Sequence, residues 1–76
     1  MSKGYSTLTV REIQEANPTL LGVKLGRVCI KKDIPVSDVA EYFGVSRVTV
    51  YSWFRGQTVV SGKHADKMQK LIAKLA

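Results

Sequence analysis

Of the 76 residues, one is cysteine, one is histidine, two are proline and six are acidic. A lone Cys29 excludes an internal disulfide and a cysteine metal cluster. It is expected as a small buried apolar group in a helix. His64 has no serine, cysteine or carboxylate arrangement near it in sequence that suggests a triad or a metal site. Six scattered carboxylates offer no acid–base pair, and the glycines are too dispersed for a phosphate-cradling loop. An enzyme is therefore not expected, and neither is a cofactor, a bound metal or a small-molecule ligand. No apolar run approaches the ~18 residues of a membrane span, and Lys3 to Tyr5 do not lead into a secretory segment. The expectation is a cytoplasmic protein with no membrane partner.

What the chain does have is basic charge, unevenly placed. Lysine and arginine total 12, giving a net charge of +6. Residues 1–42 carry six basic against five acidic groups, a net +1. Residues 43–76 carry six basic groups against Asp66 alone, a net +5. A surface meant for nucleic-acid phosphates needs such a concentration of cations, because each neutralised phosphate releases counterions. An apolar content of 45% is that of a folded domain, and the length suits a single domain, 1–76, with one modest core.

The periodicity predicts an all-α bundle of about five helices. Residues 1–8 read as a flexible arm. Thr9 with Glu12 matches a capping box that opens a short helix through Val10, Ile13 and Ala16. Asn17 reads as the N-cap and Pro18 as the first residue of a helix running to about Lys32. Leu21, Leu25, Val28 and Cys29 form its inner side. Gly22 and Gly26, four apart, mark one face for close approach. The expected neighbour is the N- or C-terminal helix, with a second copy as the alternative. Gln57 to Val60 is a loop, with Val59 and Val60 expected on the core. A last helix to about Leu75 carries an apolar stripe of Ala65, Met68, Leu71, Ile72 and Leu75. Beside it runs a lysine stripe of Lys63, Lys67, Lys70 and Lys74.

Between these lies the informative stretch, Ile34 to Gly56. Val39, Ala40 and Phe43 share one helical face, Gly44 supplies a left-handed helix end, and Ser46 can cap the next helix. Val50, Trp53 and Phe54 recur at i, i+3 and i+4, giving that helix an inward stripe. Its outward side is Arg47, Val48, Thr49, Tyr51 and Ser52, which includes no acid.

Ala40, the Gly44-Val45-Ser46 turn, Val50, Trp53 and Arg55-Gly56 resemble the helix-turn-helix of the Cro and lambda-repressor-like DNA-binding family. The resemblance implies that the helix from Arg47 to Phe54 lies in the major groove. Ser46, Arg47, Val48, Thr49, Tyr51 and Ser52 would then meet DNA, with Arg55, Gln57 and Thr58 as further phosphate contacts. Arg47 would reach a guanine edge or a phosphate, and Tyr51 would present its ring or hydroxyl to the backbone or the groove floor. The chain departs from the family where a Thr/Ser-Gln pair usually opens the first helix of the motif. Here Pro35-Val36 stands in its place. Val36 cannot donate a hydrogen bond, and Ser37 could replace the lost phosphate contact only on a rotated helix. Lys63, Lys67 and Lys70 are candidate contacts to flanking phosphates, or else a solvated face. The family also implies a phage-type repressor acting as a homodimer on a palindromic operator, with the apolar stripe of the last helix as one candidate interface. The rivals are an adaptor that hands DNA to a packaging or replication partner, and a module that inhibits a host protein.

Overall fold

A computed structural model describes residues 5–75. Five helices follow one another: α1 (Thr7–Glu15), α2 (Leu21–Lys32), α3 (Val36–Phe43), α4 (Arg47–Phe54) and α5 (Gly62–Leu75). Among the described residues there is no strand.

The chain begins less loosely than its composition suggests. Tyr5 is buried, and its hydroxyl donates to the Ile34 carbonyl at 2.7 Å, tying the start of the chain to the α2–α3 turn. Of the expected arm, residues 1–4 lie outside the described part, and residues 7 and 8 are already helical. With the chain anchored at Tyr5, the cap moves three residues ahead of the expected Thr9. Ser6 accepts from the Thr9 amide at 3.1 Å and its hydroxyl donates to Thr9 Oγ1 at 2.9 Å.

Asn17 also caps a different unit from the one expected. Its side-chain oxygen accepts from the Thr19 amide and hydroxyl, at 3.0 and 2.7 Å. That closes a local turn, an alternative asparagine offers the backbone in place of a helix. Pro18 therefore sits in the turn, and α2 starts at Leu21. It ends at Asp33 in the left-handed region, φ 58°, after Lys31 and Lys32, whose charges suit a helix C-terminus.

Every helix contributes to one core. Ile13, Val23, Leu25, Cys29, Val50, Phe54 and Met68 are fully enclosed, with Val36, Val39, Ala40, Phe43 and Trp53 around them. Phe43 and Trp53 meet edge-on at 5.5 Å, and His64 of α5 lies against both rings at 6.0 and 5.6 Å. Cys29 is the enclosed apolar group its position suggested, and burial pushes its thiol up to about 12. Burial also raises the neighbouring Tyr5 hydroxyl well above its usual value.

The two glycines of α2 select their neighbour by absence of a side chain. A Cβ at Gly22 would lie 2.5 Å from the Trp53 carbonyl oxygen, and one at Gly26 would lie 2.9 Å from the Phe54 ring. The helix seated there is α4. The expected N-terminal helix touches only Gly26, through Ile13 Cγ2 at 3.1 Å, and the C-terminal helix is not among the nearest atoms at either glycine. Val59 is likewise not on the core: it is 72% exposed, and only Val60 packs inward.

Candidate nucleic-acid interface

The turn between α3 and α4 is built from three residues with separate tasks. Gly44 takes φ 69° and ψ 35°, a conformation that costs a side chain but not glycine. Its amide and that of Val45 return to the carbonyls of Glu41 and Ala40, which closes α3. Ser46 then opens α4: its hydroxyl oxygen accepts from the Thr49 amide at 3.2 Å and lies 3.0 Å from Thr49 Oγ1. Ser6 and Thr9 make the same Ser-x-x-Thr arrangement at α1, so one local rule starts both helices.

Seated on Gly22 and Gly26, α4 buries Val50, Trp53 and Phe54 completely or nearly so. Helical geometry then turns Arg47 and Val48 outward, with Thr49 and Ser52 half-exposed beside them. The Arg47 side chain makes no hydrogen bond or ion pair among the described residues. The helix has no acid along its length. At ~1.5 Å per residue its eight residues span ~12 Å, which fits the major groove of a duplex.

Tyr51 is placed differently from the rest. It is half-buried and packed against the core, and the Arg55 guanidinium lies 5.5 Å from its ring centroid. Arg55 terminates α4, and the chain folds back so that the amides of Gln57 and Thr58 reach the Ser52 carbonyl at 2.9 and 3.4 Å. Gln57 and Thr58 are therefore held at the end of the outward face of α4, both exposed. On α3, Val36 is buried and Ser37 is exposed in the first turn, so the structure presents Ser37 at the surface.

The three lysines of α5 that are candidate phosphate contacts are not alike. Lys67 donates to the Tyr42 carbonyl at 2.8 Å, and its ammonium lies 4.4 Å from the Tyr42 ring and 5.6 Å from that of Phe43. It caps the C-terminal end of α3, where a cation is favoured. Lys70 pairs with Asp66 at 3.2 Å, one turn away on an open surface. Lys63 is exposed at the start of the helix. The Lys67 contact was not visible in the spacing, because Tyr42 is 25 residues distant. An exposed aromatic at the end of a helix was the signal that could have pointed to it.

A helix-turn-helix family model matches residues 23–74, about two thirds of the chain. The chain belongs to the Cro/C1-type helix-turn-helix family. Among curated proteins and solved structures none matches significantly. The matched span begins within α2 and takes in α3, α4 and nearly all of α5, so the two glycines near the start of α2 straddle its edge. Membership carries the coarse function of this helix-turn-helix family, double-stranded DNA binding in transcription regulation. No helix of the described residues is long and apolar enough to cross a membrane. Nor do they contain a group of three histidines, cysteines or carboxylates placed to hold a metal.

Proposed function

We propose that this protein is a sequence-specific repressor of the Cro type, which binds an operator within a promoter and occludes polymerase. The observation that carries the reading is the division of α4. One side of the helix is sealed in the core, while the other offers Arg47, Val48, Thr49 and Ser52 with no carboxylate among them. Reading and positioning fall to different groups. Arg47 and Ser52 supply hydrogen bonds to base edges, Arg47 being able to pair bidentately with guanine. The backbone amides around Ser46 and Arg47, with Arg55, Gln57, Thr58, Ser37 and Lys63, meet phosphates. The short helix reads only a few base pairs. The protein accordingly acts as a homodimer on a palindromic site with half-sites about 34 Å apart. A shallow groove of about 190 Å³ between α3 and α5, lined by Ile34, Val39, Tyr42, Leu71 and Leu75 among others, supports an apolar contact between copies.

Selection from random duplex DNA tests the whole reading. A symmetric consensus with half-sites one helical turn apart is expected. Failure to enrich any duplex would remove the regulator and favour the protein-interaction module.

A further inference from the structure

Within the outward face of α4, one side chain is chemically unlike its neighbours. Val48 is 75% exposed, the highest value among the exposed large apolar residues. It stands in the first turn, the part of a reading helix that reaches base edges. Single exposed valines are ordinary on protein surfaces, but this one lies between Arg47 and Thr49 on the face proposed to enter the groove. In a helix a β-branched side chain has one strongly preferred χ1, so the two Val48 methyls are held in place before any partner arrives.

Thr49 reinforces the apolar character of that turn. Its hydroxyl is 3.0 Å from Ser46 Oγ, and its amide donates to the same oxygen. The hydroxyl is thus engaged in starting the helix, and the methyl is the part of the Thr49 side chain left without a polar task. Arg47 and Ser52 flank an aliphatic centre.

In the major groove a base pair presents donors, acceptors and a single kind of apolar group, the methyl at C5 of thymine. We propose that Val48 recognises a pyrimidine C5-methyl group, so that the protein distinguishes methylated from unmethylated pyrimidines at one step of each half-site. The inference rests on the DNA-binding reading of the preceding subsection. Because the contact is apolar, the base pair that carries the methyl is secondary. Thymine and 5-methylcytosine both satisfy Val48, whereas uracil and cytosine leave its methyls against a gap. The discrimination expected from one buried carbon is roughly fourfold per half-site.

The test begins from the duplex recovered by selection. Each thymine of the half-site is replaced in turn by deoxyuridine, by 5-methylcytosine paired with guanine, and by cytosine paired with guanine. Binding is measured for the native chain and for Val48→Ala. Val48 is exposed and alanine is a good helix former, so the variant keeps the fold, as its circular dichroism will verify. At one position the native chain should lose roughly fourfold on removal of the thymine methyl and regain a similar factor from cytosine to 5-methylcytosine. In Val48→Ala both ratios should fall towards one. Deoxyuridine binding as well as thymine at every position would overturn the proposal and leave DNA binding intact. So would a Val48→Ala protein that kept the native ratios. If selection enriches no duplex, the DNA reading itself fails and this inference goes with it.

Discussion

α4 and α5 carry cations of the same formal kind, and the fold uses them differently. Arg47 projects from α4 without a partner among the described residues, next to side chains that can only donate, accept or press a methyl outward. On α5, Lys67 is taken up by the carbonyl at the end of α3, and Lys70 by Asp66. The six basic groups beyond residue 42 are therefore not equally free to meet a duplex. A charge already paired within the protein neutralises less phosphate. The comparison teaches that the basic half of this chain is two surfaces, one open for reading and one on which Lys67 and Lys70 are already engaged within the protein.

The most forceful way to break the comparison is to unseat α4. A Cβ at Gly22 would lie 2.5 Å from the Trp53 carbonyl oxygen and 2.8 Å from its carbon, both backbone atoms that cannot rotate away. Gly22→Ala should destabilise the protein by about 3 kcal/mol or more, as overpacking of a tight contact does. Chemical denaturation followed by circular dichroism measures it. An unchanged midpoint would mean that α4 does not rest on α2. Met68→Ala, which removes the enclosed anchor of α5, should cost roughly 2–5 kcal/mol without an equal loss of site preference.

The reading side of the comparison is sharpened by Arg47→Ala with Ser52→Ala. Loss of their base contacts should reduce the preference for the selected duplex by about 10- to 100-fold, leaving a weak, salt-sensitive affinity for any DNA. Competition binding at two salt concentrations checks both parts. Unaltered site preference would exclude this face as the reader.

Alkaline pH probes the corner where α1, α2 and α3 meet, which carries the enclosed pair Tyr5 and Cys29. The Cys29 thiol is pushed up to about 12 from an ordinary 9.0 by burial, and the Tyr5 hydroxyl is also raised. The unfolded chain loses these protons first, so the stabilisation is complete below pH 9 and declines as pH rises toward 12. Each group contributes about 1.4 kcal/mol per pH unit within its own window. Denaturation midpoints should fall between pH 9 and pH 11, and Cys29→Ala should flatten part of that decline. A midpoint independent of pH across that range would show the pair open to solvent.

Local chemistry made much of this legible. The stripe of Val50, Trp53 and Phe54, the left-handed Gly44 and the Ser46 cap are all short-range signals, and the structure contains each as read. The five-helix architecture followed from the same periodicity. Competition between neighbours obscured the rest. Ser6 and Thr9 were both able to cap, and the buried Tyr5, a contact 29 residues away, favours the earlier one. Asn17 could cap a helix or close a turn, and its bonds to the Thr19 amide and hydroxyl show that it closes a turn. The Gly22–Gly26 spacing announced a close approach without identifying the approaching helix. In the site, the exposed face of α4 was legible because burial of its opposite side dictates it. The fate of Lys67 depends on Tyr42, 25 residues away, and was not, whereas the Asp66–Lys70 pair lies at an i,i+4 spacing that the sequence itself contains.

The smallest expected effects lie on α5, and they decide whether its lysines belong with α4. Lys67→Ala removes a hydrogen bond from a charged donor to the α3 C-terminus. It also removes a cation resting on the Tyr42 ring. Because the ammonium is exposed, the loss should be modest, about 0.5–1 kcal/mol of stability. Lys70→Ala breaks an exposed i,i+4 pair and should change stability by no more than about 0.5 kcal/mol. If α5 is a structural surface, neither substitution alters the salt dependence of DNA binding, while Lys63→Ala lowers its slope by about one ion. A slope reduced equally by Lys67→Ala and Lys70→Ala would show that DNA draws both ammoniums away from Tyr42 and Asp66. The lysine stripe would then join α4 as a second part of the interface.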